Sequence, residues 1–162
     1  MLRIVILIQL LIVCALTPAS AGESRALVKF VGDWSCQGSF ASNGAPIAAN
    51  LSIRRDERSG AWILRHDDIP PGAYHSLEVW MMNKAGAGAR AAISDKYAGM
   101  RWFESPGWVD NTLTWTRLEN GIAAEQFAYA YKGNTLQVEW SIARSGAMEL
   151  GDTLVCRRTA PK

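Results

Sequence analysis

The chain has 162 residues, with 17 basic side chains against 15 acidic ones, a formal net charge of +2. So even a balance excludes recognition of nucleic acid or of an anionic membrane surface through bulk charge. The length suits one ordinary domain.

The N-terminus carries one charge at Arg3, runs apolar from Ile4 to Leu16 with Gln9 as the strongly polar interruption, and ends in Ala19-Ser20-Ala21. A short basic start, an apolar stretch and small residues at the cleavage positions are the pattern of a secretory signal peptide. Cleavage is expected before Gly22, removing residues 1–21 and leaving 22–162 as a β-barrel domain of net charge +1. The apolar run is shorter than the roughly 20 residues a helix needs to cross a bilayer, so no integral membrane segment is expected after processing. The protein is therefore expected to be periplasmic or secreted. Lipid anchoring through Cys14 is the alternative, and the bulky Val13 before it argues against that.

Leu27–Gly32 is short and apolar and suits one helical turn. From Trp34 onward the dominant signal is two-residue alternation punctuated by Gly, Pro and Asn. Trp34, Cys36 and Phe40 share one parity, and Leu51 and Ile53 alternate with polar neighbours. Trp62 and Leu64 share a face with His66. Asp67–Gly72, with two prolines and a glycine, is the strongest loop signal. Tyr74–Asn83 is apolar on both faces near its end and leaves its inner side open.

Ala91–Tyr97 and Gly99–Glu104 read as two short strands. Val109–Leu118 reads as one strand, with Asn111, Leu113 and Trp115 on a common face. Asn120-Gly121 and Lys132-Gly133-Asn134 are hairpin turns flanking Ile122–Tyr131. Leu136, Val138, Trp140 and Ile142 define an inner face, and Leu150, Leu154 and Cys156 share the parity of Asp152 on the last strand.

Of the cysteines, Cys36 and Cys156 survive processing. In an oxidising compartment they are expected to pair, and a loop of that size stabilises by roughly 5 kcal/mol through chain entropy. The bridge brings the first and last strands together. The fold class expected is all-β: a single antiparallel barrel of about 8–10 strands with a short N-terminal helical turn, closure removing the exposed edges.

Gly32-Asp33-Trp34 before the first strand and Arg157-Arg158 at the end of the last resemble the lipocalin, or broader calycin, arrangement. The resemblance implies that Trp34 plugs one barrel end and that Arg157 or Arg158 covers it. A second lipocalin motif is missing, since Ser94-Asp95-Lys96-Tyr97 carries an extra residue between its Asp and Tyr. An outlying secreted bacterial family of calycin-like proteins is the reading that follows.

No P-loop, dinucleotide fingerprint, Cys-x-x-Cys or His-Glu-x-x-His signature occurs, so no catalytic residue, metal or cofactor is assigned. His66 and His75 flank the Pro-rich loop; either would have to supply the axial ligand if the barrel held haem. Asp67 and Asp68 are expected to point to opposite sides. The seven tryptophans are spread over the strands, as core filler requires.

The leading expectation is an exported protein that binds or carries a small, partly apolar or amphipathic molecule, with contacts from Trp62, His66, Met82, Asn111, Trp115 and Tyr129. Two alternatives remain. One is a non-enzymatic envelope or inhibitor module with a filled barrel and an apolar outer patch, its protein partner unassigned. The other is an enzyme using His66, which would need an acidic orienting partner and a substrate cavity beside it.

Overall fold

Alternation becomes eleven strands: β1 (Gly32–Phe40), β2 (Pro46–Arg55), β3 (Trp62–Asp68), β4 (His75–Met82), β5 (Ala89–Asp95), β6 (Gly99–Ser105), β7 (Trp108–Val109), β8 (Thr112–Glu119), β9 (Ile122–Lys132), β10 (Thr135–Arg144) and β11 (Ala147–Arg158). The structure, a computed structural model, describes residues 26–83 and 88–160. The expected signal segment, its cleavage site and Cys14 lie outside the described residues.

Every strand pairs antiparallel with its neighbours, in the order β6-β5-β4-β3-β2-β1-β11-β10-β9-β8-β7, and a β6–β8 pairing at Glu104 and Thr116 closes the ring. Ten strands form the barrel, and the two-residue β7 folds back on β8. A helical turn at residues 26–28 precedes β1. Among the described residues no helix is long and apolar enough to cross a membrane.

β1 pairs with β11 so that Cys36 and Cys156 stand directly opposite and are joined by a disulfide. Gly38 lies two residues on, where an added Cβ would fall 1.7 Å from the Thr153 carbonyl oxygen. The absent side chain lets the two terminal strands approach beside the bridge.

The side chains of β2 alternate as read: Ile47, Ala49, Leu51 and Ile53 are buried. The ambiguity of β4 resolves unexpectedly. Ser76, Glu78 and Trp80 point inward and are buried, whereas Leu77 and Met81 are exposed. An enclosed carboxyl is tolerated because Trp80 Nε1 donates to Glu78 Oε2 at 2.9 Å, while the Tyr129 hydroxyl lies 3.3 Å from both carboxyl oxygens and Ser76 Oγ donates at 3.4 Å.

Two further departures from simple alternation shape the barrel. Asp110 and Asn111 adopt positive φ, 49° and 63°, and reverse the chain between β7 and β8. Asp and Asn tolerate this left-handed conformation, so the expected single strand over Val109–Leu118 is interrupted and Asn111 leaves the face of Trp115. Opposite Trp140/Ser141 of β10 the pairing slips, making Gly151 of β11 an extra residue. The slip turns Leu150 outward, to 47% exposure, although it shares the sequence parity of Asp152. A Cβ on Gly151 would sit 2.1 Å from the Trp140 ring, so the bulge glycine also seats that indole.

One end of the barrel is sealed. Trp34 is buried across it and donates from Nε1 to the Phe30 carbonyl at 2.9 Å. The Arg158 guanidinium lies over the Trp34 ring, 4.3 Å from its centroid, and donates to the carbonyls of Val31 and Lys29. Gly32 makes this possible, since its Cβ would collide with the guanidinium at 2.2 Å. Phe30 stacks on Trp108 at 5.1 Å and meets Tyr131 edge-on at 6.2 Å, completing the plug. Arg157, the other candidate cover, is exposed on the outward face of β11.

Candidate functional site

The opposite end holds a cavity of about 430 Å³, within the roughly 300–1,000 Å³ usual for small-molecule sites. Its residues come from the strand ends remote from Trp34: Phe40 closes β1, His66 and Asp68 lie late in β3, Arg101 early in β6, and Glu125 early in β9. The apolar wall is Phe40, Ile47, Phe127, Val138, Ile142 and Leu154. Two-residue alternation places the polar lining on the same inward faces: Arg101 shares the parity of Phe103, Glu125 that of Phe127, and Asp152 that of Leu154.

The polar groups form two linked sets. On β3, His66 Nε2 donates to Asp68 Oδ1 at 3.0 Å, which keeps the proton on that ring nitrogen. Asp68 Oδ2 accepts the Tyr74 amide at 3.1 Å, and the Tyr74 ring meets the imidazole edge-on at 5.1 Å. Burial opposes the charge on Asp68, but the bonds from His66 and the Tyr74 amide outweigh it and hold the carboxyl below its ordinary range.

The second set is an ion-pair chain. Arg101 bridges Asp95 and Glu125, and Arg117 Nε donates to the other Glu125 oxygen at 3.1 Å while its terminal nitrogen meets Glu119. Trp140 Nε1 donates to Glu125 Oε1 at 3.0 Å. Burial works against the Arg101 cation, but Glu125 and Asp95 more than compensate and raise its proton affinity.

Asp152 is different. Among the described residues its carboxyl makes no hydrogen bond or ion pair, and burial pushes its pKa up to about 6, with His66 lowering it and Asp68 raising it.

Of the residues expected to contact a ligand, His66 and Tyr129 line this cavity. Tyr129 presents its ring, because its hydroxyl is engaged with Glu78. Trp62, Met82, Asn111 and Trp115 do not line it. Trp62 and Trp115 are buried with Trp80, which lies 5.3 Å from Trp115 and 4.9 Å from Tyr129, as filler between cavity and plug. Met82 packs against the core near the sealed end, and Asn111 sits at the exposed β7–β8 turn.

His66 and His75 lie on different faces, each with its own aspartate: His75 Nδ1 lies 2.9 Å from Asp67 Oδ1 on the outside. The adjacent aspartates thus point to opposite sides. Asp95, Arg101, Arg117, Glu125, Trp140 and Asp152 are among the lining residues that sequence reasoning missed. Their signal was a charged residue, or a tryptophan, on the inward parity.

Outside the barrel, β4 and β6 carry an apolar patch of Leu77, Met81, Met100 and Trp102, the last 65% exposed. Ser94 stands between Leu77 and Met100, and Ala92 between Val79 and Trp102.

Compared with known proteins, the chain matches no family model and no curated sequence. What the structure establishes is a closed, disulfide-linked antiparallel barrel, compatible with the calycin architecture.

Proposed function

We propose that this protein is an exported calycin-like carrier that reversibly binds a small, partly apolar molecule in the open end of its barrel. The observation that carries the reading is the cavity itself: an apolar wall from Phe40 to Leu154 facing a polar side of His66, Asp68 and Asp152. A few polar groups set into an apolar wall orient a ligand that burial alone would hold loosely. The cysteine pair suits an oxidising compartment, in keeping with a periplasmic or secreted location.

Native mass spectrometry of the protein isolated from its source is the test. The expected result is a retained small-molecule mass that disappears in Ile142→Trp, where an indole fills the cavity. Failure of the wild type both to retain such a mass and to bind an environment-sensitive apolar dye would overturn the reading.

A second reading, a protein-interaction module, draws on the exposed Leu77, Met81, Met100 and Trp102. It expects Trp102→Ser to abolish capture of a partner while dye binding persists. The catalytic alternative draws on the His66–Asp68 hydrogen bond at the cavity wall. No Ser, Thr or Cys lies among the described lining residues, so such chemistry would be acid–base and not covalent through those side chains.

A further inference from the structure

The charges around the cavity are unequal. Two guanidiniums, Arg101 and Arg117, face four carboxylates, Asp68, Asp95, Glu125 and Asp152. Pairing removes most of these from a ligand's reach. Arg101 is held between Asp95 and Glu125, Arg117 between Glu119 and Glu125, and His66 donates to Asp68. Among the described residues Arg101 Nε has no partner, but it is buried and presents no surface to the cavity. An anionic headgroup entering here would find both guanidiniums already neutralised and would add repulsion from the acidic wall.

Asp152 is the lining charge left over. It stands on β11 between Phe40 of β1 and Trp140 of β10, its cross-strand neighbours, and projects toward the β3 pair of His66 and Asp68. Its carboxyl offers acceptor oxygens with no donor among the described residues, directly beside the apolar wall.

We infer that the ligand of this cavity is an amphipathic cation, an apolar body carrying an ammonium or similar charged N–H donor, with Asp152 as its counter-ion. The inference rests on the carrier reading and specifies the chemistry of that same site. Apolar groups of the ligand lie along Ile47, Phe127, Val138 and Leu154, while its ammonium lies against Asp152. A charge-assisted hydrogen bond formed there is worth about 1.5–3 kcal/mol, or roughly 10- to 100-fold in affinity over a neutral analogue.

The site also responds to pH. Burial holds the Asp152 proton up to about pH 6, so the counter-ion is lost in mild acid. His66 and Asp68 on β3, and the Tyr129 hydroxyl on β9, are the other titratable groups that interact with it.

The experiment is calorimetric titration of the disulfide-bonded protein with decylamine, decanol and decanoate, which share a chain and differ in the headgroup. The expected order near neutral pH is decylamine at least about tenfold tighter than decanol, with decanoate weakest. In Asp152→Asn decylamine should fall to the affinity of decanol, and decanol should be unchanged. The wild-type preference should shrink as the pH is lowered through about 6, and that change should vanish or become much smaller in the variant. Decanol or decanoate binding as tightly as decylamine, or a preference that survives Asp152→Asn, would overturn the cation assignment and leave the carrier reading standing. No binding of any of the three would remove both.

Discussion

The two ends of this barrel are built from similar material, aromatic rings and arginines, and put it to opposite uses. At the sealed end Arg158 lies outside the indole it covers and is engaged by two backbone carbonyls, so ring and cation form a lid. At the open end Arg101 and Arg117 lie inside, paired with Asp95 of β5 and Glu125 of β9 on the polar side of the cavity. The same residue type caps a ring at one end and is paired among inward carboxylates at the other. Changes at the sealed end should therefore act on stability, and changes at the open end on binding and its pH dependence.

The largest effect expected is loss of the disulfide. Cys36→Ala together with Cys156→Ala frees a loop with a sequence separation of 120 residues. Denaturant unfolding should then report a loss approaching about 5 kcal/mol. Reduction of the wild type should give a comparable loss, whereas a change in the double variant much below about 2 kcal/mol would show that the terminal strands hold without the bridge.

Next comes Trp34→Ala, which empties the fully buried plug and should cost about 3–5 kcal/mol. If the two ends are independent, the residual folded protein keeps its ligand affinity. Arg158→Met should cost less, about 0.5–2 kcal/mol for the cation–π contact alone. Equal unfolding midpoints for this variant and the wild type would show that the cover contributes nothing.

The remaining effect has an unusual sign. Asp152 holds its proton more tightly folded than unfolded, with a folded pKa of about 6 against the ordinary 3.8. Below both values the carboxyl is neutral in both states and has no influence. As the pH rises between them the unfolded chain releases its proton first, so stability falls, and above about 6 the loss is constant. Asp152→Asn should therefore raise the melting temperature near pH 8 and leave it almost unchanged near pH 3. A lower melting temperature at both would mean that the carboxylate has a stabilising partner in solution.

The β-barrel was legible because alternation and hairpin glycines are local, and because the paired cysteines join the two terminal strands. Trp34 and Arg158 were legible as a pair at the ends, although choosing Arg158 over Arg157 required the strand parity. The cavity was harder to read. Trp62 and Trp115 have the same inward parity as Phe127, and periodicity specifies a face without specifying height along the barrel axis. Asp152, Arg101 and Glu125 look like ordinary surface charges unless their inward parity is taken at face value. Glu78 shows why that is difficult, since an equally inward carboxyl there is satisfied by Trp80 and Tyr129 and serves the core. Leu150 shows the converse, an apolar residue of inward parity turned outward by the Gly151 bulge.

Methyl-detected NMR during titration with decylamine tests the central claim most directly, because it locates the ligand on one surface or another. The account predicts saturable shifts at Ile47, Val138, Ile142 and Leu154, with Leu77, Met81 and Met100 on the outer patch unmoved. Shifts confined to Leu77, Met81 and Met100, with the cavity methyls silent, would contradict it.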